Sequence, residues 1–370
     1  MVDDSNLTKR RRQRAVTLMT DAGLDALAFV PGPNFFYLTG LKFHLMERPT
    51  LLILDRGGEI TAIMPALERL KWSTAFPHAT TFYWQDSDGF ESAFADAAAA
   101  LGAVSVGVEG GRMRMFEYDA LRNQLKDGTV SNADTALAVL RMVKDADEIA
   151  LLEAAIAISE VALEETVEAV RPGMTEKQVK SFLESRMLAN GADGFSFDPI
   201  VLAGGKAANP HGTPDDTPLK PGDAMLVDFG ARIGGYNADI TRTFFVGHVR
   251  DEHADIYGVV KSANAVGRDI AIAGMTAHDL DTQVTARLRD SPFADLIVHK
   301  TGHGLGLDVH EAPQVMIGNR QRLNPGTVIT IEPGLYRAGD VGVRIEDDVV
   351  MTAEGARSLT GFDRHLRVIG

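Results

Sequence analysis

The stretch LVDFGARIGGYNADITRTFF, residues 226–245, joins two runs of β-forming residues through the glycine pair Gly234 and Gly235. A glycine pair between two such runs is typical of a tight hairpin turn. Because side chains alternate along a strand, the hairpin predicts that Asp228 and Asp239 lie on the same face of adjacent strands. Two carboxylates are therefore expected to meet within an otherwise apolar strand pair.

A second stretch, VITIEPGLYRAGDVGVRIEDDVV at residues 328–350, carries a second pair of carboxylates. Glu332 and Glu346 lie there on two strand-like runs, separated by a glycine-containing loop. Four carboxylates that converge in an interior repel one another and are costly to desolvate. Two divalent cations would neutralise them, and His303 in KTGHGLGLDVHEAP (residues 300–313) would complete the ligand set.

The ligand types indicate which metal ions to expect. Oxygen-rich ligation with one imidazole suits Mn²⁺, with Co²⁺ or Zn²⁺ as alternatives. Two such ions about 3.5–4 Å apart would hold a water molecule between them, lower its pKa and polarise a carbonyl group. The glycines around His303 lack the strand–turn–helix context of a dinucleotide loop, so we expect them to let the backbone approach metal and substrate closely.

The two carboxylate pairs belong to two similar parts of the chain. GMTEKQVKSFLESRMLANG begins at Gly173, and GMTAHDLDTQVTARLRDSP begins 101 residues later at Gly274. In each part, Gly-Met-Thr precedes a predicted helix, with Thr175 or Thr276 as its N-cap. Each part then continues into β-rich segments. We therefore predict two facing halves with the site between them.

Residues 1–137 are predicted to form a separate α/β domain, and residues 138–370 a second domain. The boundary is placed near Leu137, before a long amphipathic segment in which Asp145 and Glu148 match a capping box. Within the first domain, β-rich runs predict strands at residues 24–30, 80–84 and 104–109, a hairpin at 50–64 turning at Gly57-Gly58, and a helix at 91–101.

Composition excludes several classes of protein. With 370 residues, of which 45% are hydrophobic, the chain can bury two cores. A net charge of -14 argues against a nucleic-acid partner, and the basic run at residues 9–14 is interpreted as the solvated face of a first helix, the alternative being an interaction patch. The chain has no cysteine, hence no thiolate ligand or nucleophile. Without a membrane-length apolar run or a signal-peptide pattern, we expect a cytoplasmic protein with no membrane partner.

Four segments, DFGARIGGYNADITRT, TGHGLGLDVHE, ITIEPG and VRIEDD, together resemble the metal-dependent pita-bread peptidases. That family includes aminopeptidase P, prolidase (Xaa-Pro dipeptidase) and methionine aminopeptidase. The resemblance covers residues 209–350 closely and extends through LRMVKDADEI and PNFFYLTG (residues 33–40), which look like the proline-peptidase branch. It implies a mixed α/β and α+β fold. A creatinase-like N-terminal α/β domain would precede a pita-bread catalytic domain with pseudo-two-fold halves.

The resemblance also implies roles for individual residues. Asp228, Asp239, His303, Glu332 and Glu346 match the five metal ligands of the family, with Asp239 and Glu346 bridging two ions. Glu332 would also shuttle a proton. A hydroxide held between the two ions is expected to attack the peptide bond that precedes proline.

Other residues are expected to contact the substrate. His211 matches a histidine on the substrate or leaving-group side, His310 one that stabilises the oxyanion, and Arg344 an arginine beside the metal site. His299 is interpreted as either a packed histidine or a substrate contact. In the N-terminal domain, Arg48 is predicted to bind the free carboxylate of a dipeptide, the alternative being a solvated surface arginine.

The resulting prediction is an Xaa-Pro dipeptidase that acts on peptides with proline at the second position and forms a homodimer. The N-terminal domain would mediate dimerisation and substrate access. An aminopeptidase P that acts on longer peptides is the main alternative. A methionine aminopeptidase, a metal-free creatinase-like hydrolase and a non-catalytic binding module also remain open.

Overall fold

A computed structural model describes residues 6–102, 104–125 and 128–370 of the chain. It consists of two compact units, Met1–Leu140 and Arg141–Gly370, whereas the sequence placed the division after Leu137. Within the described ranges, no helix combines the length and the apolar character needed to cross a membrane.

The first unit is built on one six-stranded mixed sheet. Its strands are β1 (Ala26–Phe29), β2 (Leu51–Asp55), β3 (Ile60–Pro65), β4 (Thr80–Trp84), β5 (Ser105–Val108) and β6 (Thr129–Asn132), in the order β4-β3-β2-β1-β5-β6. Its helices are α1 (Asn6–Asp21), α2 (Pro33–Thr39), α3 (Arg69–Ala75), α4 (Glu91–Leu101), α5 (Met115–Gln124) and α6 (Asp134–Leu137). The predicted hairpin is confirmed, since β2 and β3 pair antiparallel across the Gly57-Gly58 turn.

The basic run of helix α1 departs from its predicted role. The guanidinium carbon of Arg11 lies 4.3 Å from the ring centre of Tyr37. Nη1 of Arg12 donates to the carbonyl oxygen of Leu38 at 3.2 Å. Both arginines are largely buried, so the interpretation of this run as a solvated face was wrong for them. An arginine can bury its aliphatic stem and stack its planar head on an aromatic ring, which a hydropathy pattern does not reveal.

The second unit combines four long helices with short strands that pair antiparallel except for the parallel pair of the twelfth and twentieth strands. The helices are α7 (Ala146–Ala169), α8 (Glu176–Ala189), α9 (Asp251–Ile270) and α10 (Ala277–Arg289). The strands of its first half are β7 (Gly194–Phe195), β8 (Ile200–Ala203), β9 (Ala224–Phe229), β10 (Ala231–Ile233), β11 (Tyr236–Asn237) and β12 (Ile240–Val246). The later strands are β13 (Gly302–Gly304), β14 (Glu311–Val315), β15 (Val328–Ile331), β16 (Gly334–Arg337), β17 (Val341–Arg344), β18 (Asp347–Met351), β19 (Ala356–Ser358) and β20 (Val368–Ile369).

The repeated Gly-Met-Thr motif has the same structure in both halves. Thr175 caps α8 and Thr276 caps α10, each by accepting a backbone N–H three residues further on, so both N-cap predictions are confirmed. Gly173 has a φ of 91° and Gly274 a φ of 92°. Backbone in this left-handed region favours glycine, which explains why each motif begins with that residue.

Each half packs a pair of helices against its own strands. In the first half, α7 and α8 cover the sheet around a core that includes Leu163, Leu183 and Val227. In the second, α9 and α10 do the same around Val260, Val284 and Ile329. Helix α7 begins with the predicted capping box, in which Asp145 and Glu148 exchange side-chain and backbone hydrogen bonds. The prediction of two similar halves is confirmed by this arrangement.

A buried arginine ties the two halves together. Arg242 on β12 is 1% exposed, and its guanidinium donates to Asp347 Oδ1 at 2.7 Å and to the carbonyl oxygen of Glu346 at 2.6 Å. The fully buried Asp347 also accepts from Arg364 Nε at 2.7 Å. Since β12 belongs to the first half and Asp347 begins β18 of the second, these contacts fix the halves across the site.

Candidate active site

The first carboxylate pair comes from a hairpin that is interrupted midway. Strand β9 pairs with β12, with Asp228 opposite Thr241, and the separate pair β10–β11 turns at the predicted glycines. Asp239 lies in the break just before β12. A side chain at Gly230 would place its first carbon 1.8 Å from the carbonyl oxygen of Ala238, so only glycine allows this close approach. The expectation of one regular hairpin is therefore corrected, although both aspartates still enter the same site.

The second half repeats this design. Glu332 follows β15 directly and Glu346 immediately precedes β18, while β15 and β18 pair antiparallel. The hairpin β16–β17 fills the interval between them. Each half thus delivers two carboxylates from a strand pair, as the sequence repeat predicted, but in each half the pair is interrupted. The breaks matter because a residue outside the regular ladder can aim its side chain into the space between the sheets.

His303 supplies the imidazole of the site. It lies on β13, beside β15, and is buried. Its Nδ1 is 3.0 Å from the carbonyl oxygen of Gly304, a contact in which Nδ1–H donates and leaves the Nε2 lone pair free for a cation. Nε2 lies 3.6 Å from Asp239 Oδ2 and 3.4 Å from Glu332 Oε1.

The five predicted ligand residues converge. Three overlapping sets of side chains each bring their ligand atoms within 4.8 Å of one another. These sets are Asp239 with His303 and His310, His303 with Glu332 and Glu346, and Asp228 with Asp239 and Glu346. In addition, Asp228 Oδ1 is buried without a hydrogen-bond partner among the described residues. A buried acceptor without a donor, in a cluster of carboxylates, fits a bound cation.

The electrostatics of the cluster agree with that fit. Burial and the neighbouring carboxylates, led by Glu346, raise the pKa of Asp239 well above its usual value. Burial and the charge of Glu332 do the same to the pKa of Glu346. Burial raises the pKa of Glu332 to about 7, against the opposing charge of Arg344. Burial lowers the pKa of His303 to about 3, which keeps its imidazole neutral and able to bind a metal ion.

Arg344 and two residues missed by sequence reasoning support the ligands. The Arg344 guanidinium contacts Asp228 Oδ2 through Nη2, Tyr336 Oη at 2.8 Å through Nη1, and Thr241 Oγ1 at 3.0 Å through Nε. The Thr241 hydroxyl in turn donates to Glu346 Oε2 at 2.6 Å. Thr241 could have been found from the alternation of side chains after Asp239, whereas no local signal marks Tyr336.

The ligand cluster lines a cavity of about 910 Å³, which also includes His211, His299, His310 and Lys300. The rings of His303 and His310 are 4.0 Å apart between their centres. His299 is held by Tyr336 Oη at 2.8 Å from Nε2 and by the Lys300 carbonyl oxygen at 2.8 Å from Nδ1. His299 is therefore a packed residue that nevertheless lines the cavity. His211 and His310 are exposed at its solvent side.

An ion-pair cluster next to His310 was also missed. The buried Glu311 accepts from Arg141 Nη1 at 2.5 Å and from Lys144 Nζ at 2.6 Å. Although burial opposes ionisation, these two cations hold the pKa of Glu311 below its usual value. Arg141 Nη2 also binds Asp308 at 2.7 Å. This cluster, Arg141–Lys144–Asp308–Glu311, fixes the backbone on both sides of His310.

Arg48 lies in the first unit. Its Nε and Nη2 bind Asp86 at 2.9 and 2.8 Å, and its Nη1 binds Glu47 at 2.6 Å. Its guanidinium is thus already paired with two carboxylates. The predicted contact between Arg48 and substrate stays a prediction.

The fold and the site together define a class of protein. A mixed-sheet N-terminal unit precedes a catalytic unit of two similar halves, which share a buried cluster of carboxylates and histidines suited to cations. A sequence profile of metallopeptidase family M24 matches residues 150–353, and one of the creatinase/prolidase N-terminal domain matches residues 11–143. The chain belongs to metallopeptidase family M24. The predicted family and fold class are confirmed.

Three similar proteins extend over nearly the whole chain. An uncharacterized peptidase, YqhT, of Bacillus subtilis is 36% identical, with 95% of this chain and 98% of that protein covered. The Xaa-Pro dipeptidase of Pyrococcus furiosus is 31% identical, with 97% and 99% covered. The crystal structure of a prolidase from Thermococcus sibiricus has a TM-score of 0.93 at 30% identity, covering 99% of this chain and all of that one (100%).

Proposed function

We propose that this M24 metallopeptidase hydrolyses the Xaa-Pro bond of dipeptides. The observation that carries the proposal is the convergence of two carboxylate pairs and His303 on one cavity. Similarity over almost the full chain to proteins named Xaa-Pro dipeptidase and prolidase supports the choice of substrate. A homodimer, assembled through the N-terminal unit in the cytoplasm, is proposed on the family resemblance alone.

The proposal includes two divalent cations per chain, held by Asp228, Asp239, His303, Glu332 and Glu346. Four carboxylates and one imidazole favour Mn²⁺ over softer ions, with Co²⁺ or Zn²⁺ as alternatives. Bound there, the cations would activate a water molecule and polarise the scissile carbonyl group.

The protein's own residues then serve the reaction. Glu332, which lines the cavity beside His303, can accept a proton from water and deliver it to the departing proline nitrogen. His310, beside His303 and exposed to the cavity, can donate a hydrogen bond to the developing oxyanion. His211 lines the cavity and can contact the substrate or the leaving group. Arg344 holds the Asp228 side chain in place through their contact.

The first test measures proline release from Ala-Pro, beside cleavage of Ala-Pro-Ala and Ala-Ala, with Mn²⁺ added to protein purified without chelator. We expect hydrolysis of Ala-Pro, much slower hydrolysis of Ala-Pro-Ala and none of Ala-Ala. Cleavage of the tripeptide without the dipeptide would replace the proposal by an aminopeptidase P. Failure on all three peptides would leave a family member with different chemistry.

A second test separates the two roles open to His310, which also lies within ligand distance of Asp239 and His303. If His310 stabilises the oxyanion, His310→Gln should lower kcat by roughly 100-fold, as loss of one such donor does. The metal content per chain should not change, as measured by plasma mass spectrometry. His248→Gln, a change at an exposed histidine outside the cavity, serves as the control. A variant that loses metal would instead make His310 a ligand.

A further inference from the structure

The cavity contains one basic side chain whose charge the proposed mechanism does not use. Among the described residues that line it, the permanent cations are Arg344 and Lys300. Arg344 already contacts Asp228, Tyr336 and Thr241, one through each of its nitrogens. Lys300 needs a separate explanation, because removing an ammonium group from water beside a reaction centre costs free energy unless an anion pairs with it.

Lys300 makes no ion pair with a carboxylate within the described ranges, and its side chain contacts the neutral Oε1 of Gln314. The Gln314 amide is itself oriented, since Nε2 donates to the carbonyl oxygen of Glu311 at 3.2 Å. Lys300 is a partly buried residue of the cavity wall, and Gln314 takes one of the three donors of its ammonium group.

The backbone that carries Lys300 is fixed. The N–H of the next residue, Thr301, donates to Oδ1 of the buried Asp281 at 2.9 Å. The carbonyl oxygen of Thr301 accepts from the N–H of Glu332 at 2.8 Å. Lys300 thus lies next to a residue whose backbone is bonded to Glu332, the proposed proton carrier, and it lines the same cavity.

Lys300 shares the cavity with the groups that would act on the peptide bond. It lines the same cavity as His310, the proposed oxyanion donor, and Glu332, the proposed proton carrier. In a dipeptide, the carboxylate carbon lies only two bonds from the scissile nitrogen. A cation in this cavity is therefore at a suitable place to meet that carboxylate.

We propose that Lys300 binds the free carboxylate of the dipeptide substrate and thereby selects dipeptides over longer peptides, an inference that rests on the proposed Xaa-Pro dipeptidase function. A longer peptide presents a neutral amide at this position and leaves the half-buried ammonium unpaired. A site built to pair with a polar group rejects analogues that lack it. Arg48, whose guanidinium already binds two carboxylates, lacks this unmet charge.

The test compares Ala-Pro with Ala-Pro amide, which differ only in the terminal charge. Lys300→Met should raise the KM for Ala-Pro by about tenfold or more, as loss of a charged hydrogen bond does. Hydrolysis of the amide should stay within about twofold, and Lys300→Arg should restore most of the preference for the acid. Lys300→Gln is a second neutral variant in case the methionine variant does not fold. Lys177→Met, which removes an exposed lysine paired with Asp216, is the control.

The outcomes are distinct. Equal losses on the acid and the amide would reduce Lys300 to a structural role and overturn the inference. The inference would also be overturned if the Lys300 variants kept the wild-type ratio of acid to amide hydrolysis while Arg48→Ala lost the preference for the acid. If the wild-type protein hydrolyses neither substrate, the proposed function itself fails, and the inference about Lys300 fails with it.

Discussion

Asp239→Asn is expected to lower kcat by more than about 10³-fold, because loss of even a supporting group around a metal ligand costs 10–100-fold. Asp239 is 4% exposed and belongs to two of the three ligand sets. The asparagine has the same shape but one anionic oxygen fewer. Its backbone stays held, since the N–H of residue 239 donates to Asp348 Oδ2 at 3.1 Å. The measurement is Ala-Pro hydrolysis, together with metal content per chain.

Thermal unfolding of the metal-free protein distinguishes this loss of activity from misfolding. Without metal, the crowded carboxylates repel one another, so removing one charge should make the metal-free variant unfold at a higher temperature than the metal-free wild type. Asp216→Asn is a matched control, since that side chain is 80% exposed. An Asp239→Asn enzyme with full activity and full metal content would contradict the ligand assignment.

Arg242→Met is expected to destabilise the protein by about 3–5 kcal/mol, the usual cost of breaking a buried ion pair from one side. The substitution removes the pairing of Arg242 with the buried Asp347, which then keeps Arg364 at 2.7 Å and Arg268 at 3.4 Å. It also removes donors from the carbonyl oxygens of Glu346 and Phe362, which lie 2.6 and 2.9 Å away. Buried acceptors that lose their donors bear the full cost of desolvation.

Thermal and urea unfolding of the metal-free protein measure this effect. For a unit of this size, each kcal/mol lowers the Tm by roughly 2–4 °C, so we expect a fall of about 10 °C. Arg320→Met is the control, because Arg320 is 70% exposed and lies 3.8 Å from Asp279. A change in Tm no larger than that of the control would mean that Arg242 does not hold the two halves together.

Local signals in the sequence predicted local structure well. The Gly57-Gly58 turn, the caps Thr175 and Thr276, and helix α4 are set by residues a few positions apart, and the structure has them where they were predicted. The repeat placed the carboxylate pairs in matching elements. Turn chemistry and capping act within one or two turns of chain, so they are readable without tertiary information.

The interrupted hairpins could not be foreseen in this way. At the break, Gly230 lies so close to the carbonyl oxygen of Ala238 that a side chain would not fit, and strand alternation in the sequence does not reveal such a contact. The supporting contacts are also distant in sequence. Arg344 meets Thr241 across 103 positions, and Lys144 meets Glu311 across 167. The repeat indicates which carboxylates to propose as ligands, but it does not identify partners outside the repeat.

The cluster Arg141–Lys144–Asp308–Glu311 determines where the chain can be cut. Its two cations come from the first residues of the second unit, ahead of helix α7. A fragment that begins at Arg141 retains both, whereas one that begins at the helix itself, at Ala146, leaves Glu311 buried without a counter-charge. Glu311, the neighbour of His310, therefore sets the N-terminal limit of a catalytic fragment that keeps this cluster. That limit is Arg141, five residues before helix α7 begins.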